Sequence, residues 1–378
     1  MEPKNGSSNG GSCAPSPSDF RPGSSSGKAS EMISVVIPAY RCSQYIAQAV
    51  QSVLAQTFPA CELIIVNDGS PDTPLLEAAL APYQESIRYI KQPTRGPSGA
   101  RNTGILQARG DYIAFLDGDD YWFSDHLAKQ VAMLREDPTL DLVYCDYMLL
   151  KGERQFARAF DLQPQSAEVN FESLLVEDCA IGMSTVVSSR EPIIRAGSFD
   201  QELLRCEDFE MWLRMALAGA RMAYHTDVQV FHRINEAGLS ADKLSMKKDR
   251  IRVYQKMASN FSISERQQGI VGELIARTEA DCQVDELKRA LEKGDYVGAF
   301  AAARQASAAK SNWKLKISLW GLRLMPSLFR RIHLARSFFQ RNGKHPDREV
   351  RALVNPAAGD AATNEENRAL VGGSTKKQ

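Results

Sequence analysis

The sequence predicts an α/β protein built on a mostly parallel sheet flanked by helices, with an all-helical extension after it. Three observations carry this. Short apolar runs rich in β-branched residues alternate with amphipathic runs four times in about 85 residues from Ile33, the pattern of right-handed crossover units. Three of those four strand candidates end in polar, turn-forming clusters: Pro38-Ala39-Tyr40, Asn67-Asp68-Gly69-Ser70 and Asp117-Gly118-Asp119. From Leu244 onward the pattern is helical without strands.

Taken in order, Ile33–Ile37 reads as a strand stopped by Pro38. A helix is expected from Ser43 to Gln56, with Ile46, Val50, Val53 and Leu54 on one face. Leu63–Val66 is a second strand, broken by the Asn67–Pro71 turn; a short helix over Pro74–Leu80 and a weaker strand at Ile87–Ile90 follow. The Gly-rich stretch Arg95–Gly99 opens a helix running to Ala108, and Tyr112–Leu116 is the next strand. Further strands are expected at Leu142–Leu149, Thr185–Ser188 and Val228–Phe231.

Composition narrows the class. With 378 residues and a hydrophobic fraction of 43%, the chain can bury a substantial core. Zero formal net charge argues against a whole-protein affinity for nucleic acid. Seven scattered cysteines with no C-x-x-C pair suit reduced thiols better than a disulfide framework or a zinc site. No stretch approaches the ~18 apolar residues of a membrane span, and residues 1–30 hold no apolar segment, so no signal peptide is expected. A cytoplasmic protein follows, with a disordered leader over 1–30 and a disordered tail over 346–378.

The chemistry concentrates after Tyr112. The run to Leu116 ends in Asp117, Asp119 and Asp120, three carboxylates within four residues. At the carboxyl end of a parallel strand they sit where open α/β sheets bind ligands. A divalent ion, Mn²⁺ or Mg²⁺, shared with substrate phosphates would relieve their repulsion. The same residues also read as a polar turn. Because parallel strand ends lie side by side, Asp68 and the groups around Pro38 converge on the same crevice. The helix start at Gly96–Gly99 and the guanidinium of Arg101 both favour phosphate oxygens.

These residues resemble a known family. Ser34-Val-Val-Ile-Pro-Ala-Tyr40, Val66-Asn-Asp-Gly-Ser70, Ser98-Gly-Ala-Arg-Asn-Thr-Gly-Ile105 and Phe115-Leu-Asp-Gly-Asp-Asp120 are similar to the nucleotide-binding half of family 2 glycosyltransferases of GT-A fold. The resemblance continues through Gly197-Ser-Phe-Asp200 and Cys206-Glu-Asp-Phe-Glu-Met-Trp212, and covers roughly residues 33–240. It implies a catalytic domain over 31–240, with Pro38, Ala39, Tyr40 and Asp68 at the nucleoside and Arg101 in the nucleotide region. It also implies a D-x-D pair, Asp117 and Asp119, with Asp119 the better candidate for direct metal contact. No dehydrogenase glycine fingerprint and no Walker loop competes.

Glu207 and Asp208 open a helix with Phe209, Trp212, Leu213 and Leu217 on its apolar face, where acidic residues also complement the helix dipole. A sugar hydroxyl needs a positioned base to attack an anomeric carbon, and by the resemblance Asp208 matches the catalytic aspartate of the pair. One departure is visible. Where the family carries a His before Leu-Ser, this chain has Asn235, and His232 comes three positions early; Arg233 keeps its place and is the candidate for phosphate contact.

A last signal lies in the expected helical extension, residues 241–345. From Tyr296 to Pro346 there are ten Lys or Arg and no acidic residue, interleaved with Trp313, Trp320, Phe338 and many leucines. Residues 311–341 therefore read as helices lying in an anionic membrane interface, or as an ordinary helical cap with a solvated basic face. The expected function is inverting, metal-dependent transfer of a sugar from a nucleotide-sugar donor (a UDP-sugar by family habit) to a saccharide or lipid-linked saccharide, with no nucleic-acid partner. A non-catalytic binder of the same fold is the rival, against which the D-x-D pair and Asp208 together speak.

Overall fold

The computed structural model describes residues 32–58, 61–176, 179, 181–235, 238–309, 313–328 and 330–334. The expected leader, the tail and part of the basic segment lie outside the described residues. The first half alternates as expected: β1 (Ile33–Ala39), α1 (Ile46–Leu54), β2 (Cys61–Asp68), α2 (Thr73–Leu80), β3 (Arg88–Gln92), α3 (Gly96–Gln107) and β4 (Tyr112–Phe115). Strands β3, β2, β1 and β4 are neighbours and all parallel, with Ile33 opposite both Cys61 and Tyr112. Helix α1 begins three residues later than its pattern suggests, because the Ser43 N–H donates to the Asp72 carboxylate and holds the chain in a turn.

The second half is mixed. It contains β5 (Tyr121–Trp122), α4 (His126–Glu136), β6 (Leu142–Lys151), β7 (Arg154–Arg158), α5 (Ala159–Leu162), α6 (Phe171–Leu175), β8 (Val187–Ser189), α7 (Arg190–Arg195), α8 (Glu207–Leu217) and β9 (Met222–Arg233). Strand β8 is antiparallel to both β4 and β6 and joins the parallel half to the parallel pair β6–β9. Part of the expected strand at Thr185–Ser188 is instead a 3₁₀ turn, Met183–Thr185. That turn carries residues into the site rather than into the sheet. Two cores lie on opposite faces, one centred on Phe115, Tyr144 and Trp212, the other on Ile37, Ile46 and Leu127.

Behind the sheet come α9 (Lys243–Asn260), α10 (Glu265–Lys293), α11 (Tyr296–Ala309) and α12 (Trp313–Leu324). Helix α9 is tied to the catalytic region by charge: Lys256 pairs with Asp200 and with the buried Glu210, which Arg214 also holds at 2.7 Å. The extension is thus packed into the loop that leads to α8. Helix α12 buries Leu322 against α10 and α11, but leaves Ile317, Trp320 and Leu324 exposed on its other face.

His126 is fully buried and stacked on Trp122 at 4.4 Å, and burial, with the nearby His225, pushes its pKa down to about 3. The unfolded chain takes up a proton near pH 6.5 that the native ring refuses until about pH 3. The native state therefore loses stability as pH falls through that window, by about 1.4 kcal/mol per unit. Urea unfolding from pH 7 to 4 should show a slope shallower by one proton in His126→Phe than in the parent protein.

Candidate active site

A cleft of about 860 Å³ opens at the carboxyl ends of β1, β2 and β4, a volume suited to a small ligand. All ten residues that the sequence marked for the site line it: Pro38, Ala39, Tyr40, Asp68, Arg101, Asp117, Asp119, Glu207, Asp208 and Arg233.

At one end the β1 and β2 termini are locked together. Asn67 Oδ1 accepts from the Ser70 N–H at 2.9 Å, and Ser70 Oγ accepts from the Arg41 N–H at 2.7 Å. Arg41 has φ +53°, a conformation rare outside glycine, and its guanidinium lies 5.5 Å over the Tyr40 ring. Backbone strain of this kind persists where surrounding contacts over-determine it. Asp68 is buried; its Oδ1 accepts from Gln92 Nε2 at 2.7 Å and from the Arg95 N–H at 2.9 Å. Gly69, at φ +65°, has no substitute here, since a Cβ would lie 2.9 Å from the Thr94 nitrogen.

The three adjacent aspartates have separate partners. Asp120 is 1% exposed: its Oδ1 accepts from the Arg233 N–H at 2.9 Å, and its Oδ2 accepts from Ser184 Oγ at 2.6 Å and faces His232 Nδ1 at 3.0 Å. Asp117 Oδ1 is bound by Arg101 Nη2 at 2.7 Å. The Asp119 carboxylate takes no hydrogen bond from another described side chain; burial first, then Asp120 and Asp117, push its pKa up to about 6 against the His232 charge and its own backbone N–H. Gly118 lets the turn pass close to β1, where a Cβ would meet Cys42 Sγ at 2.7 Å.

The donor set bears on metal binding. Among the described residues no group of three or more His, Cys, Asp or Glu is arranged to hold a metal by itself. One uncommitted carboxylate, with a second half-committed beside it, fits Mg²⁺ or Mn²⁺, which complete their shells with phosphate oxygens and water.

Across the cleft, α8 starts from Cys206 at φ +58°, which aims its first turn at the aspartates. Glu207 Oε1 accepts from Arg101 Nη1 at 2.7 Å. Burial pushes Glu207 up to about 7, with Asp208 adding to the effect and Arg101 opposing it. Asp208 is raised too, by burial first, against the Phe209 N–H from which it accepts at 2.7 Å and the nearby charges of Arg101 and Arg250. Acid residues at a helix start need no burial to serve the dipole, so the raised values point beyond that role.

Arg233 is more committed than its sequence position suggests. Its guanidinium lies 4.7 Å from the Tyr45 ring and 5.0 Å from the Tyr121 ring, and donates to the Asp119 carbonyl at 3.2 Å and to Gln48 at 2.7 Å. His232, left open by the sequence, lines the cleft with a half-exposed ring. Burial works against its protonation, but Asp120 outweighs it and raises the pKa to about 9. Ser184 and Tyr147 also line the cleft and went unnoticed in the sequence, where neither belongs to a motif.

A mixed sheet with its cleft, acidic turn and acidic helix start is an arrangement of the GT-A fold. Residues 34–178 match the model of the family described as glycosyl transferase family 2, so the chain carries a glycosyltransferase domain of that kind and has an enzyme role. The chain is 29% identical over 213 residues, 56% of its length and 81% of the relative's, to the UDP-Glc:alpha-D-GlcNAc-diphosphoundecaprenol beta-1,3-glucosyltransferase WfaP of Escherichia coli. In fold it is similar to S. aureus TarS 1–349 in complex with UDP-GlcNAc, at TM-score 0.56 and 17% identity, covering 83% of this chain and 93% of that one. It is likewise similar to the mannosyltransferase PcManGT of Pyrobaculum calidifontis in complex with GDP-Man and Mn²⁺, at TM-score 0.52 and 20% identity, covering 83% and 88%.

Arg101, 4% exposed, is the shared cation of Asp117 and Glu207. Removing one partner of a buried ion pair costs about 3–5 kcal/mol. Arg101→Met should lose stability of that order in urea unfolding at pH 8, and Arg101→Lys should recover only part of it.

Proposed function

We propose that this enzyme transfers a sugar from a UDP-sugar to a hydroxyl of a lipid-linked saccharide, with inversion and with Mn²⁺ or Mg²⁺ as cofactor. One observation carries the reading: Asp208, raised in pKa, lines the same cleft as Asp119, whose carboxylate takes no hydrogen bond from another described side chain, so a base and a diphosphate site share one cavity. Pro38, Ala39 and Tyr40 form the nucleoside wall, and the second oxygen of Asp68 is left for the base edge. Asp119, with Asp117, would hold the metal, which supplies Lewis-acid stabilisation of the diphosphate when bound. Asp208 takes the proton from the acceptor hydroxyl as its oxygen bonds to the anomeric carbon. The bond from that carbon to the diphosphate breaks on the opposite face, and configuration inverts. Glu207 and Arg101 hold the base helix, and Arg233 supports the Asp119 backbone at the phosphate end. The UDP donor and the lipid-linked acceptor are supported by the names of WfaP and of the TarS complex, and the metal by the PcManGT complex.

Calorimetric titration of UDP with and without Mn²⁺ tests the reading. The parent protein and Asp208→Asn should bind UDP only with the metal, and Asp119→Ala should lose at least tenfold in affinity. Asp208→Asn should show transfer reduced by about 10² or more; near-normal transfer in that variant would remove Asp208 from the role of base.

We also place the protein at an anionic membrane surface. Ile317, Trp320 and Leu324 are spaced along one face of α12 and are 54%, 72% and 55% exposed, with Arg323 beside them. Large apolar groups held out of a helix that already buries its other face suit an interface of headgroups and acyl chains. Among the described residues no helix is long and apolar enough to cross a membrane. Ile317→Ser with Trp320→Ser should cut co-sedimentation with phosphatidylglycerol vesicles by about tenfold; undiminished binding would return α12 to the role of a cap.

A further inference from the structure

We propose that Tyr147 is a sugar-recognition residue, its phenol hydroxyl donating a hydrogen bond to a hydroxyl of the sugar being transferred. The inference deepens the donor reading above and rests on it. Tyr147 sits on β6 beside an irregularity: pairing with β9 slips on both sides of the fully buried Asp146. Bulges of this kind redirect side chains and recur next to active sites. This one is held by Asp146, whose Oδ1 accepts from the Tyr147 and Phe160 N–H groups at 2.8 and 3.0 Å, and whose Oδ2 pairs with Arg158 at 2.9 Å.

The ring is fixed as firmly as the backbone. It meets His232 edge to face at 5.5 Å, and a Cβ on Gly182 would stand 3.3 Å from it, so only glycine leaves the ring its full room there. The side chain lines the cleft, yet its hydroxyl donates no hydrogen bond to a described residue. A rigid hydroxyl that opens on the cleft and is engaged by no described residue is free to meet a ligand oxygen. Burial, and then the charges of Asp146, Asp120 and Asp208, raise its pKa and keep it protonated as a donor.

Its neighbours say which part of the substrate it meets. Asp208 marks the side from which the acceptor attacks, and Asp119, with His232 near it, marks the diphosphate side. Tyr147 meets the His232 ring at 5.5 Å and lines the same cleft as Asp208. In a displacement with inversion those two sides are opposite faces of one sugar carbon, so a side chain of this cleft beside His232 is placed to flank the sugar ring.

Tyr147→Phe removes only the hydroxyl, and a comparison of affinities isolates its effect. With Mn²⁺ present, UDP, UDP-glucose and UDP-N-acetylglucosamine are titrated into the parent protein, Tyr147→Phe and Asp208→Asn. The expected result is unchanged UDP affinity in all three, which also shows that the fold is intact. Tyr147→Phe alone should lose about tenfold of the extra affinity that the preferred sugar confers over UDP, and its discrimination between the two sugars should narrow. If Tyr147→Phe keeps the full sugar increment and the same discrimination, the assignment of Tyr147 is overturned while the donor site stands. If UDP binds but neither sugar nucleotide competes for the site in the parent protein, the donor reading itself fails and this inference with it.

Discussion

Asp117, Asp119, Glu207 and Asp208 all face one cleft, with Asp120 buried beside them, and five carboxylates in partly desolvated surroundings repel one another strongly. The Arg101 guanidinium relieves the worst of it, with one nitrogen on Asp117 at 2.7 Å and another on Glu207 at 2.7 Å. This bridge also joins the two halves of the protein. Asp117 follows the parallel strand β4, whereas Glu207 opens α8, which is carried by the mixed half. Without the shared cation the acidic turn and the acidic helix start would move apart, and the cleft would lose its shape. His232 repeats the device on a smaller scale for Asp120.

What remains after these pairings is informative. Asp120 is saturated by Ser184, His232 and the Arg233 backbone, and Glu207 is held by Arg101. Asp119 takes no hydrogen bond from another described side chain, Asp208 is bonded by the Phe209 N–H, and burial raises both pKa values. Two raised carboxylates lining one ligand-sized cleft suit the proposed division between a cation at Asp119 and a proton at Asp208. The separation of duties comes from neighbours, since nothing in the chemistry of aspartate distinguishes the three of the acidic turn.

The helical extension takes part in the same arrangement. Lys256 reaches from α9 to Asp200 and Glu210, and Arg205, in the loop before α8, donates to the Leu239 carbonyl at 2.9 Å and pairs with Asp249 of α9. These contacts hold the loop leading into α8 from behind, so the direction of Asp208 depends on helices that contribute little to the cleft itself. The extension's far end turns an apolar face outward, so one set of helices both braces the base and offers a surface.

The sequence by itself determined the parallel half of the sheet and the place of the site. Strand periodicity, the glycines at turns of positive φ and the polar clusters after β1, β2 and β4 are local properties, and parallel strands must bring such ends together. Legible too were the D-x-D pair and the acidic start of α8, because each carries its signal within a few adjacent residues. Only the tertiary structure decided that β8 enters antiparallel, that Arg101 bridges two carboxylates 106 positions away in one case and 16 in the other, and that Arg233 lies between two tyrosine rings. Tyr147 and Ser184 belong to the same class. Their positions depend on a bulge and a 3₁₀ turn whose partners are remote in the chain, and pairings between remote segments leave no periodicity or motif to read.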